Sequence, residues 1–249
     1  FRSQWLGSLA GKILRIDPET GLGLPSNPFW TGSGADNPSR VWVYGLRNPF
    51  RFAVDPDSPP PGTLAISAVG WRTWEEIDIA EAGGENFGWP CVEGPSPPDE
   101  YPSTSPAHHG CGTLGTPENP SLPRAPLILR HHANAALSLP AGRIGKAATG
   151  IAFYSGTRYP EEYRGALFHS DFAEGWIDLL HSDETPIHVH EFTSTIDGPV
   201  DIVPDPASGD LHVISLARNQ IRRIVYARDN RPPEAVAVAD PVQGTVPLE

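Results

Sequence analysis

One recurring pattern limits this chain's folding more than any other. Pro49-Phe50-Arg51-Phe52-Ala53-Val54-Asp55-Pro56 is echoed by Pro199-Val200-Asp201-Ile202-Val203-Pro204-Asp205-Pro206. A Gly-x-Leu turn into a second strand then occurs at Gly62-Thr63-Leu64, Gly165-Ala166-Leu167 and Gly209-Asp210-Leu211. A third strand follows at Glu76–Ile79, Trp176–Leu179 and Ile221–Ile224. Gly165 and Gly209 are 44 residues apart, a blade-sized period. Short antiparallel strands repeated at that period predict a β-propeller of four-stranded blades. A two-sheet sandwich has no need of the repeated turn.

The rest of the chain agrees with an all-β reading. Lys12–Ile16, Val41–Tyr44, Leu64–Val69, Ile151–Tyr154 and Leu211–Ile214 are short, β-branched or aromatic, and bounded by turn formers. Twenty-nine prolines and 25 glycines accompany 39% hydrophobic residues, enough for a core between many turns. Lys12–Ile16 reads like Ile221–Ile224, so the chain is expected to open on the last strand of a blade. Three complete blades are expected, with sheets spanning Val41–Ile79, Ile151–Leu179 and Val200–Tyr226; a fourth around the insertion is the alternative. Residues 91 to 145 carry ten prolines between Pro95 and Pro140 and read as an inserted loop. Cys91 and Cys111 lie within it, and their simplest reading is a disulfide clip of an exported protein. Two unrelated thiols are the alternative. The chain begins at Phe1 and contains no methionine, which reads as a piece of a longer protein.

A net charge of −12 argues against nucleic acid, which needs a basic stripe. No apolar run is long enough for a membrane-spanning helix. No Gly-x-Ser-x-Gly elbow or phosphate loop occurs, leaving hydrolase and nucleotide readings without support.

Four segments, in order, resemble the glucose/sorbosone dehydrogenase family. They are Gly11-Lys12-Ile13-Leu14-Arg15-Ile16-Asp17, Gly45-Leu46-Arg47-Asn48-Pro49-Phe50, Val69–Ile77 with Gly83–Pro90, and the stretch from Gly150 to Trp176. The resemblance covers residues 8 to 227. It implies the C-terminal portion of a six-bladed propeller over residues 1–228, secreted or periplasmic, whose best-known relatives use pyrroloquinoline quinone (PQQ) and calcium to oxidise an aldose or related sugar alcohol. By resemblance, Arg47 and Asn48 contact the cofactor. On the residues alone the favoured reading is that Arg47 pairs with a blade carboxylate and Asn48 caps a turn before Pro49; the resemblance reverses it. The carbonyls of Gly70 and Trp71 match a calcium-binding turn, and the indole of Trp71 could instead line the mouth against a sugar. Glu76 and the carbonyl of Phe87 match a structural calcium site whose later acidic ligand aligns near Pro97. Residues 229–249 resemble a linker and the first strand of a PKD-type immunoglobulin-like domain.

The chain also departs from the family pattern. The family's cofactor-neutralising lysine aligns near Ala173, and its two arginines align at Gly198 and Val200. Arg164 and Arg218 are candidate substitutes. The family's general-base histidine is expected upstream of this chain, so no catalytic residue is assigned. His108, His109, His131 and His132 read as solvated loop histidines, and His169 as a satisfied structural residue. Two functions follow from different classes: a PQQ- and calcium-dependent sugar dehydrogenase, or a non-catalytic extracellular propeller that binds sugar or polysaccharide.

Overall fold

A computed structural model of the chain describes residues 2–98, 111–116, 121–182, 184–226 and 234–237. Fourteen strands form one two-stranded and three four-stranded sheets among these residues. The first sheet pairs β1 (Lys12–Leu14) with β2 (Val41–Tyr44). The second is β3 (Pro49–Val54), β4 (Leu64–Ala68), β5 (Trp74–Ala80) and β6 (Ile128–His131). The third is β7 (Ala148–Phe153), β8 (Leu167–Asp171), β9 (Trp176–Leu180) and β10 (Val189–Thr193). The last is β11 (Pro199–Pro204), β12 (Leu211–Ser215), β13 (Gln220–Val225) and β14 (Glu234–Ala237). Every pairing is antiparallel between chain neighbours.

The sheets are radial. Their innermost strands β3, β7 and β11 meet, with β7 against both of the others. Three apolar clusters fill the wedges between sheets. Trp42 and Val43 pack on Leu64, Ile66 and Phe87 between the first two sheets. Ala65, Ile77 and Ile128 pack on Ile151, Phe153 and Leu167 in the next wedge. Tyr154, Phe168 and Ile177 pack on Ile202, Leu211 and Val213 in the third. β4 shows why its sequence is apolar at all positions but Ser67. Leu64 and Ile66 face one wedge and Ala65 the other, so the two-residue alternation of a strand places apolar groups on both faces.

Two expectations need correction. Val41–Tyr44 pairs with β1, not with the 49–79 strands, because its register runs against Lys12–Leu14. The 91–145 stretch is not wholly loop: Ile128–His131 returns as the fourth strand of the second sheet, with Glu75 opposite Arg130. It builds no blade of its own among the described residues. The Cys91–Cys111 disulfide is formed. Of the 229–249 stretch, Glu234–Ala237 is hydrogen-bonded to β13 as the fourth strand of the last sheet. The remainder, with most of the stretch read as a PKD-type start, lies outside the described residues.

Candidate functional site at the mouth of the blades

The starts of the inner strands lie together: Thr149 Oγ1 in β7 donates to Pro199 O of β11 at 2.6 Å, and Ala148 N of β7 donates to Glu75, close after the β4–β5 turn, at 2.7 Å. Arg47 and Asn48 precede β3, and Gly70-Trp71 follow β4, whose Ala68 lies opposite Pro49. Short antiparallel connections bring these ends together. The contacts are direct: Val69 N donates to Asn48 O at 2.9 Å, and Arg47 Nη1 donates to Val69 O at 2.9 Å. The Arg47 guanidinium lies 5.3 Å from the Trp71 ring centroid and 5.8 Å from that of Trp89, within cation–π range. Among the described residues Arg47 forms no ion pair with a blade carboxylate, and Asn48 is exposed.

Beneath this mouth lies a set of carboxylates. Glu93 and Glu75 are buried, with 4% and 1% exposure. Glu93 Oε1 accepts the N–H groups of both Trp71 and Arg72. Glu75 Oε1 accepts Gly70 N at 3.3 Å, and its Oε2 accepts Ala148 N at 2.7 Å, stapling the second sheet to the third. Gly70 must be glycine for a steric reason, since a Cβ there would sit 1.6 Å from Trp74 O. His132 Nε2 meets Glu75 Oε1 at 2.7 Å. Burial opposes its protonation, but Glu75, Glu93 and a bond to the Arg72 backbone outweigh this and raise its pKa. His132 is thus a partner of the buried acids, not the solvated loop residue expected. His131 is also held: its Nδ1 accepts Ala133 N and Asn134 N, and its ring packs edge-on to Trp74. His108 and His109 lie outside the described residues.

Glu76 points into the other wedge, where its Oε1 accepts Gly94 N at 2.6 Å. Burial pushes its pKa up to about 7, and the nearby charges of Glu93 and Glu75 add to this. Asp78, on the same face two residues on, is fully buried with no hydrogen-bond partner on either carboxylate oxygen among the described residues. Burial, then Glu76, drives its pKa well up. Phe87 is buried nearby, its N–H on Tyr44 O, and Pro97 is exposed. Among the described residues no group of three or more His, Cys, Asp or Glu side chains gathers closely enough to hold a metal unaided.

The positions that depart from the family pattern lie at the same mouth. Ala173 sits in the β8–β9 turn, where Glu174 is paired with Lys146 at 2.6 Å. Gly198 immediately precedes β11 and Val200 lies within it. Of the proposed substitutes, Arg218 is at the mouth but pairs with Asp197 at 2.6 Å. Arg164 follows the turn Glu161–Tyr163 between β7 and β8, at the opposite edge. Lys146, Glu75 and Glu93 were not singled out in the sequence. Only tertiary contact brings them here, and no motif announces it.

Comparison with known proteins gives these features a context. The sequence profile described as Glucose / Sorbosone dehydrogenase matches residues 2–113. The chain is similar to the HIPL2 protein of Arabidopsis thaliana, 39% identical over 102 aligned positions, in a match that covers 35% of this chain and 14% of that protein. It is similar to the aldose sugar dehydrogenase YliI of Escherichia coli K12, 36% identical over 88 residues, 35% of this chain and 22% of that one. A glucose dehydrogenase-type oxidoreductase of Thermus thermophilus shares the fold with a TM-score of 0.57 at 24% identity, over 94% of this chain and 56% of that one. The PQQ-bound aldose sugar dehydrogenase of Streptomyces coelicolor does so with a TM-score of 0.54 at 20% identity, over 94% and 53%. The chain thus spans about half the length of the solved propellers and a smaller share of the curated relatives it matches. Over residues 2–113 the chain is thus similar in sequence to the glucose/sorbosone dehydrogenase family, and over nearly its whole length it shares the fold of these solved propellers.

Proposed function

We propose that this chain forms the calcium- and cofactor-holding side of an exported quinoprotein that oxidises an aldose or related sugar alcohol. The observation that carries the reading is the Arg47 fork on Val69, beside the Gly70-Trp71 turn. The N–H groups of Trp71 and Arg72 are taken by Glu93. A peptide's N–H and C=O point in opposite directions, so the carbonyls of Gly70 and Trp71 point away from that buried acid. Hard-cation chemistry suits such oxygens, and the residues fit calcium. Arg47 uses one of its five donors on Val69, and a guanidinium fork suits a carboxylate or quinone oxygen. PQQ, when bound, supplies the hydride acceptor. Arg47 and Asn48 would hold it, and Trp71 would close one side of the mouth. Glu76, with the carbonyl of Phe87, is proposed for a structural calcium, and the raised pKa of Glu76 is the charge strain such a cation would relieve. The disulfide supports export, since such bonds persist in oxidising compartments.

A second reading has its own observation. Ala173, Gly198 and Val200 carry no charge, and Glu174 and Asp197 beside them are acidic. Burying a polyanionic cofactor without cations is costly, whereas the 42%-exposed Trp71 suits a sugar face. A non-catalytic carbohydrate-binding propeller is that reading. Titration calorimetry of the intact protein with PQQ plus calcium separates the two. Arg47→Ala is expected to weaken uptake at least tenfold, and Glu162→Ala, at the opposite edge, to leave it unchanged. Equal binding by both variants removes Arg47 from the cofactor site, and no uptake by the wild type leaves the carbohydrate reading.

A further inference from the structure

The calcium-type turn owes its shape to a residue far from it in sequence. Glu93 lies 22 positions after Trp71, in the segment that follows the Trp89-Pro90 step, and is 4% exposed. Its Oε1 receives two successive backbone N–H groups, Trp71 N and Arg72 N, the latter at 3.1 Å. Successive amides converging on one anion form a nest. Here the anion is supplied by the protein's own side chain. Gly70 N, the preceding amide, is turned to the second buried acid, Glu75, at 3.3 Å. Neither the 70–71 nor the 71–72 peptide is cis. With planar trans peptides, fixing the N–H of Trp71 fixes the C=O of Gly70, and fixing the N–H of Arg72 fixes the C=O of Trp71. One carboxylate oxygen therefore sets the direction of both carbonyls at once, on the side opposite itself.

We infer that Glu93 is a positioning residue: a buried latch that holds the Gly70 and Trp71 carbonyls side by side as a two-point cation ligand. The assignment rests on the calcium reading of this turn for its purpose, but not for its geometry. Glu93 touches neither the cation nor the cofactor in this scheme. Its negative charge beneath the turn also adds to the attraction for a cation above it. The latch is itself held in place. Gly94 N, the next amide, is bonded to Glu76, and Glu93 N to Ser96 O at 2.9 Å. Cys91, two residues before, is tied to Cys111.

Hydrogen exchange and calcium titration of the intact protein test this together. In Glu93→Ala the amides of Trp71 and Arg72 are expected to exchange at least tenfold faster, without calcium present. Glu93→Gln keeps an acceptor oxygen and is expected to restore protection to within about threefold. With calcium alone as the probe, Glu93→Ala should bind at least tenfold more weakly, Glu93→Gln less than tenfold more weakly. Glu162→Ala should match the wild type in both measurements. Unchanged exchange at Trp71 and Arg72 in Glu93→Ala overturns the latch, as does a Gln variant no better than Ala. Normal protection in a wild type that takes up no calcium overturns instead the metal reading of the turn.

Discussion

His169 sits in the middle of β8 at 1% exposure, and its Nε2 has no hydrogen-bond partner. The sequence predicts a satisfied structural residue; it is structural, but that nitrogen has no partner among the described residues. Burial, followed by the charges of Arg130 and Arg143, drives its pKa well below the usual histidine range. The sign of the consequence follows from linkage: a depressed folded pKa means the unfolded chain binds the extra proton. The contribution of His169 is therefore present above about pH 6.5 and is lost as pH falls. His169→Leu is expected to lose less stability than the wild type between pH 7.5 and pH 5, by about 2 kcal/mol if the folded site stays neutral throughout. Urea melts at the two pH values check this, and parallel losses would show that folding does not depress the pKa of His169. Gly70→Ala is a second expectation at this scale. A methyl 1.6 Å from Trp74 O cannot be accommodated without moving the turn, so calcium binding is expected to fall with stability, the latter by about 1–3 kcal/mol. Wild-type calcium affinity in this variant would refute it. Arg47, Asn48, Gly70 and Trp71 were legible because each stands in a short local pattern. Glu75, Glu93 and His132 were not, because their roles depend on which backbone amides and side chains come within 3.5 Å after folding.

Among the elements, the inner and middle strands were readable and the outermost ones were not. β4 and β8 are buried along their whole length, and each opens on an apolar stretch, Leu64-Ala65-Ile66 and Leu167-Phe168, right after its Gly-x-Leu turn. β10, Val189–Thr193, has no fully buried position, and its sequence carries no such signal. β6 was hidden differently. Its Arg130 is buried because it meets Asp178 at 3.5 Å across the wedge, where Arg143 joins at 3.3 Å. A buried arginine in a proline-rich stretch looks like loop until its partner on β9 is known. Burial raises the pKa of Asp178 to about 6 even against these two cations. The cystine belongs to the same scale. It ties the segment carrying Trp89 and Glu93 to Cys111, and a closed loop of this size constrains the unfolded chain by about 3 kcal/mol. Replacing Cys91 and Cys111 together by serine is expected to lower stability by about that amount and to loosen the Glu93 segment. An unchanged denaturation midpoint would mean the bridge closes a loop already ordered by other contacts.

The arc as a whole has two unlike ends, and both leave apolar groups on display. At the first, Phe52 and Val54 lie opposite Ile66 and Leu64 in the β3–β4 register and so share their face. Trp42 and Val43 cover Ile66 and Leu64, but the first sheet has only two strands. Phe52 and Val54 are left 49% and 51% exposed. At the other end, the last sheet packs Ile202 and Val213 into its wedge and turns Val203 and Ile221 outward, 46% and 58% exposed. Neither strip faces another sheet of the chain among the described residues. Apolar surface of this kind drives association in proportion to the area it removes from water, and strand edges add unpaired backbone groups to it. The 249-residue chain on its own is therefore expected to self-associate at micromolar concentration, with a sedimentation coefficient that falls on dilution. Changing Phe52 and Val54 together to serine should shift it toward monomer while leaving the wedge clusters intact. Ala173→Ser, away from both strips, should not. A wild-type chain that sediments as a single monomer at every concentration would show that the two end faces are covered in solution by something other than a second copy, and the strips would then lose their role as the adhesive surfaces of the arc.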